Sequence, residues 1–110
     1  MSEDSLDDRL TTTRRVVDEL VEILHSQGQR TLGWYLMLLD LRDALADVSG
    51  SPQETLDTAA AMVDALYSGP HNFGEFFVVC DDQEEMITAN EHAEELTARL
   101  REAVRGKGER

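Results

Sequence analysis

The sequence predicts a mainly all-α domain: four helices packed compactly, with one short extended segment between the third and the fourth. Three observations carry that expectation. Four stretches repeat apolar residues at three- and four-residue spacing, the mark of helices that bury one face. Start and stop signals fall between those stretches. Strand-like composition is confined to one run, Phe76 to Cys80 (FFVVC), and nothing else in the chain offers it a convincing partner strand.

The first helix is expected from about Leu6 to Ser26, with Leu10, Val17, Leu20 or Val21, and Leu24 on its buried face. The Thr11-Thr12-Thr13 run is its weak point, because β-branched side chains lose rotamer freedom in a helix. Gly28 supplies the stop. The second helix should span roughly Thr31 to Asp47, with Trp34, Leu38, Leu41, Leu45 and Val48 on one side and Asp40, Asp43 and Asp47 on the other. Its first half is apolar all round, since Leu32, Tyr35, Leu36 and Leu39 add surface on the far side. Such a helix is either central in the fold or covered by a second molecule, so these four residues are the candidate seam of a homodimer.

The third helix has the clearest start. In SPQET, Ser51 can cap, Pro52 suits the first helical position and Glu54 can complete a capping box. Leu56, Ala59, Ala60, Val63, Leu66 and Tyr67 form its buried face, and Gly69-Pro70 ends it. The fourth helix follows CDDQEE, with Asp81 or Asp82 as cap. Its stripe is Met86, Ala89, Ala93, Leu96, Leu100 and Ala103, and Arg99, Arg101 and Arg105 fall where cations suit the helix dipole. Residues 1–5 and 106–110 read as disordered tails of a single domain spanning 1–110.

Composition narrows the function. The formal net charge is −13 over 110 residues. The block from Asp43 to Ala98 holds thirteen acids and no Lys or Arg, whereas the remaining residues carry ten acids and ten bases. A field of one sign repels nucleic acid and anionic lipid and attracts basic partners. No apolar run is long enough to span a bilayer. Met1 to Leu10 is acidic, without the basic and apolar regions of a secretory signal, and Cys80 is a lone cysteine, so the expected location is cytoplasmic.

The stretch YSGPHNFGEFFVVCDDQEE, residues 67–85, breaks the helical pattern and contains all three phenylalanines. It reads first as a packing plug, with Phe73, Phe76, Phe77 and Val79 alternating between core and edge. A pocket near Trp34, Tyr67, His71, Asn72 and Glu75 is the candidate small-ligand site, with Tyr35 and Tyr67 turned toward the Gly-Pro corner. Metal-ligand spacing is poor: His71 and Glu75 share a face only in a helix that Gly69, Pro70 and Gly74 oppose. Glu22 and His25 form a single Glu-x-x-His unit with no second one, and DDQEE lacks the glycine and ligand order of a calcium loop. No metal, cofactor or catalytic residue is assigned. Cys80 reads as a small buried hydrophobe, its reactivity opposed by Asp81 and Asp82.

Trp34, the turn YSGPHNFGEFFV and the later ANEHAEELTARLREAV resemble a family of small bacterial helical proteins of no established activity. That pattern has a tryptophan in a central helix, a glycine-rich turn leading into phenylalanine and a short apolar stretch, and a final helix opening with Asn. Gly69, Phe73, Phe77, Val78, Asn90 and Leu96 match it. Gly69-Pro70-His71-Asn72 and Gly74-Glu75 depart from it. The resemblance covers about residues 33–104 and implies a helical fold with an ordered turn, and no reaction.

The function expected first is a non-enzymatic acidic protein-binding module. Its candidate contact residues are Glu75, Asp81, Asp82, Glu84, Glu91, Glu94 and Glu95, meeting a basic protein as an immunity or inhibitor protein meets a basic toxin or nuclease. A homo-oligomeric module built on the second helix comes next, and a ligand-binding protein or enzyme third.

Overall fold

The computed structural model describes residues 6–47, 49–70 and 72–105. Both expected tails, Val48 and the candidate His71 lie outside the described residues. Four helices are present: α1 (Leu6–Ser26), α2 (Leu32–Ala46), α3 (Pro52–Leu66) and α4 (Gln83–Arg105). Two short 3-10 turns, Gly28–Thr31 and Phe73–Glu75, sit in the connections, and no strand occurs among the described residues.

Each boundary has a local cause. Gly28 holds φ at +76°, a conformation costly for any side chain with a Cβ, and so ends α1. Thr31, 1% exposed, donates its hydroxyl to the Leu24 and Gly28 carbonyls and satisfies the end of that helix. The threonine run does not interrupt α1. Thr13 is fully buried and its hydroxyl donates to the Arg9 carbonyl one turn back, 2.7 Å away, which removes the polar penalty of burying it. The capping box of α3 is complete: Ser51 Oγ accepts from the Glu54 N–H, and Glu54 Oε1 accepts from the Ser51 N–H. Asp82 is the residue that caps α4, accepting from the Glu85 N–H at 3.3 Å.

Leu20, Leu24, Leu38, Leu41, Leu45, Leu56 and Leu100 are each 1% exposed or less and form the centre of the core. Full burial of such a side chain is worth roughly 1.5–3 kcal/mol. Helix α1 packs on both α2 and α4, while α3 bridges the same two helices. Arginines of α1 fix this arrangement. Arg14 donates from Nε and Nη2 to the Leu45 carbonyl, and Arg9 donates to the carbonyls of Ala103 and Val104. The last carbonyls of α2 and α4 have no partner within their own helices. Both ends are therefore closed by cations from a neighbour. The fourth helix's own arginines do other work: Arg105 pairs with Asp64 at 2.8 Å, and Arg101 lies over the Tyr67 ring at 4.4 Å. These contacts bring the C-terminal end of α3 beside that of α4.

Candidate functional site

The segment between α3 and α4 is the longest connection among the described residues, and it is built from the turn outward. Gly69, at φ +75°, turns the chain out of α3. Asn72 then closes a tight turn with its own side chain: Oδ1 accepts from the Gly74 N–H and Nδ2 donates to the Gly69 carbonyl, both at 2.8 Å. That turn drives Phe73 into the core, where it is 2% exposed. Phe73 stacks on Phe76 at 5.4 Å between centroids and meets Trp34 and Tyr67 edge-on, each at 5.8 Å. Trp34 also meets Phe76 edge-on at 6.1 Å.

Residues 76–80 run extended without pairing to another strand. The backbone groups of Val78 and Val79 are met instead by side-chain amides, which carry the same donor and acceptor as a peptide. Asn90 of α4 accepts from the Val78 N–H at 2.7 Å and donates to the Val78 carbonyl at 2.9 Å. Its second N–H goes to the Met86 carbonyl. Gln27 grips Val79 in the same way from the opposite side, accepting at 2.8 Å and donating at 3.4 Å. Arg30 donates to the Phe77 carbonyl and places its guanidinium over the Phe77 ring at 4.8 Å.

This clamping corrects the expected alternation. Val78 is the residue turned inward, 4% exposed, while Phe77 and Val79 stand in solvent at 54% and 50%. Phe73 and Phe76 remain on the core side because the 3-10 turn shifts the register by which the segment enters. The signal in the sequence was Asn90: a helical asparagine beside an apolar run with no strand partner is a ready backbone mimic.

The candidate pocket residues separate. Tyr67 lines an open groove of about 360 Å³ together with Phe73, Phe76, Phe77, Glu94 and Arg101. Trp34 packs behind those rings and does not line the groove, and Asn72 is committed to its turn. Tyr35 faces the opposite way from the Gly-Pro corner, against the His25 ring at 5.6 Å. Burial holds the Tyr67 hydroxyl above the ordinary tyrosine pKa, partly offset by the Arg101 charge and a hydrogen bond with Thr97. Two further depressions exist. One of about 500 Å³ lies over the α2–α3 connection between Asp47 and Asp57, and one of about 210 Å³ lies beside His25, Leu32 and Tyr35. In the first, hydrogen bonds from Ser49 hold the Asp47 carboxyl below the ordinary aspartate value.

The candidate acidic residues Glu75, Asp81, Asp82, Glu84, Glu91, Glu94 and Glu95 are all exposed. Glu84, Glu91, Glu95 and Glu102 recur at spacings that place them within about 40° of one another around α4. That row lies opposite the buried Ala93, Leu96 and Leu100. Among the described residues none of the four forms an ion pair, and Arg99, one turn from Glu95, makes none with it. His92 reaches across to Glu19 of α1 at 3.4 Å. No group of three or more His, Cys, Asp or Glu converges among the described residues. Cys80 is a free, half-buried thiol.

The candidate seam also divides. Leu32 and Leu36 point outward at 44% and 51% exposure, while Tyr35 and Leu39 are half-buried against the core. Met37, 37% exposed, stands about a quarter-turn further round α2. No described helix is long and apolar enough to cross a membrane.

Comparison of the chain with protein-family models, with curated proteins and with solved structures finds no match.

Proposed function

We propose that this protein is a cytoplasmic binding module whose acidic α4 face receives a basic protein, in the manner of a small inhibitor. The observation that carries this reading is the carboxylate row Glu84–Glu91–Glu95–Glu102, set opposite the buried face and without cation partners among the described residues. Glu91 and Glu95, four residues apart, cost the helix a few tenths of a kcal/mol by repulsion. Glu84, in the first turn, suits the helix dipole, but Glu91, Glu95 and Glu102 lie beyond it, and a cationic partner converts their repulsion into attraction and speeds encounter. The free thiol of Cys80 suits a reducing compartment.

The test is a charge-reversed variant, Glu84→Lys with Glu91→Lys and Glu95→Lys, whose substitutions all lie on the solvent face. A basic protein retained by the native chain at low salt should be released by added salt and bind the variant at least about tenfold more weakly, since exposed charge sets encounter. Partner binding indifferent both to salt and to the reversal removes the reading.

A second reading is favoured by Leu32 and Leu36, which expose apolar surface on the part of the molecule where acids and bases are mixed. Two copies can meet there without opposing the acidic faces. Sedimentation across a wide concentration range decides it: a strict monomer ends the dimer reading.

A further inference from the structure

A second group of large apolar side chains stands in solvent: Phe77, Val79 and Ile87, at 54%, 50% and 52% exposure. The amide clamp is what gathers them. Asn90 holds the backbone of Val78 against α4, so the two-residue period of an extended chain turns Phe77 and Val79 outward. Ile87 lies one turn before Asn90 and Glu94 one turn after it. The extended segment therefore crosses α4 between an exposed isoleucine and an exposed glutamate. Phe77 and Glu94 also share the wall of the 360 Å³ groove, whose apolar surface comes from Tyr67, Phe73 and Phe76.

How a partner can use this surface is restricted by the clamp itself. Both backbone groups of Val78 are taken by Asn90 and both of Val79 by Gln27, while Arg30 takes the Phe77 carbonyl. An added strand finds its ladder positions occupied, so recognition here rests on side chains rather than on β-augmentation. Carboxylates outnumber cations around this surface. Asp81, Glu84, Glu91 and Glu94 are exposed around the apolar centre, and none forms an ion pair among the described residues. Two arginines belong to the same surface: Arg30 lies over the Phe77 ring and bonds Gln27, and Arg101 lines the groove over the Tyr67 ring.

We infer that Phe77, Val79, Ile87 and the adjoining groove form the docking site for a cationic amphipathic helix of a partner protein. Apolar anchors at three- and four-residue spacing along that helix cover the exposed side chains, and one of them enters the groove. Lysines or arginines on its flanks meet the carboxylate rim. A second copy of this chain is disfavoured as the occupant, because the carboxylate excess on both sides repels. The inference rests on the basic-partner reading and adds the face and the chemistry of the contact.

The probe is a synthetic leucine–lysine helical peptide of about five turns, compared with a peptide of the same composition scrambled to remove its apolar face. Binding is followed by calorimetry and by amide shifts of the labelled full-length chain. The amphipathic peptide is expected to bind at least about tenfold more tightly than the scrambled one, with shifts concentrated at residues 76–79 and 87–94. Phe77→Ser and Ile87→Ser should each lower that affinity several-fold while leaving thermal unfolding in place, since both side chains are about half exposed. The shift map is read on the native chain, so it decides the matter even if a variant unfolds. Equal binding of the two peptides, with shifts spread along α4, overturns the docking site and leaves the basic-partner reading standing. No binding of either peptide overturns both. Concentration-dependent shifts at 76–79 without any peptide identify the patch as a self-association surface and overturn the inference.

Discussion

Among the described residues, two regions expose large apolar side chains, and their surroundings differ. On α2, Leu32 and Leu36 project from a regular helix whose neighbours Tyr35 and Leu39 reach the core, in a part of the chain where Arg30 and Arg42 accompany Glu22 and Asp40. Around Phe77, Val79 and Ile87 the backbone is irregular, held by two side-chain amides, and the exposed carboxylates outnumber the two arginines, Arg30 and Arg101. Similar apolar exposure thus sits in one place within balanced charge and in the other within an excess of carboxylates. Under the proposed function, the first surface suits a copy of itself and the second a cationic partner.

The comparison is tested most severely at Asn90. Asn90→Ala removes three hydrogen bonds, leaves the half-buried Val78 groups unmet and should destabilise the fold by roughly 2–3 kcal/mol. Chemical denaturation measures this, and a loss near zero means that the segment is not held as described. Gln27→Ala removes the matching grip on Val79, but in a solvent-exposed place where water replaces it. Its cost should stay below about 1 kcal/mol by the same measurement. If Gln27→Ala costs as much as Asn90→Ala, the two sides of the clamp are energetically alike and the segment is anchored to the α1–α2 connection as firmly as to α4.

Leu36→Lys should change stability by no more than about 0.5 kcal/mol, because the side chain is half exposed and contributes little to the core. Any self-association through α2 should disappear with it, and sedimentation of the variant against the native chain checks both halves of the statement.

The smallest effect concerns pH. Burial raises the Tyr67 hydroxyl pKa above its unfolded value, so the folded state holds that proton more strongly. The resulting stabilisation is fully present below the unfolded tyrosine pKa of about 10 and is lost as pH rises through the folded value. Tyr67→Phe should flatten the alkaline limb of stability against pH. An unchanged limb shows that Tyr67 titrates alike in both states.

Much of the architecture was legible along the chain because it depends on short-range rules. The α1 limits, the Ser51–Glu54 capping box, the Gly28 stop and the leucine faces of α2 and α4 follow from spacing and from single residues. The candidate site was legible only in outline. Spacing alone placed Phe77 and Val79 in an alternation, but which of Val78 and Val79 turns inward was settled by an asparagine twelve residues away in sequence. Tyr67 follows α3, Phe73 and Phe77 lie in the connection, and Glu94 and Arg101 lie two turns apart on α4, so no local pattern brings all of them to one groove. The terminal carbonyls of α4 likewise find Arg9, more than ninety residues earlier, rather than the nearby Arg101 or Arg105.

What the sequence determined by itself was the helical class, the four elements with their caps, and the confinement of all net charge to Asp43–Ala98. These follow from backbone propensity, apolar periodicity and composition, which act within a few residues or by simple summation. The tertiary structure decided which apolar side chains remain in water, which amides and arginines satisfy the unpaired backbone, and which carboxylates stand beside which hydrophobes. Those outcomes require groups far apart in the chain to meet at hydrogen-bonding distance, and only packing sets such distances.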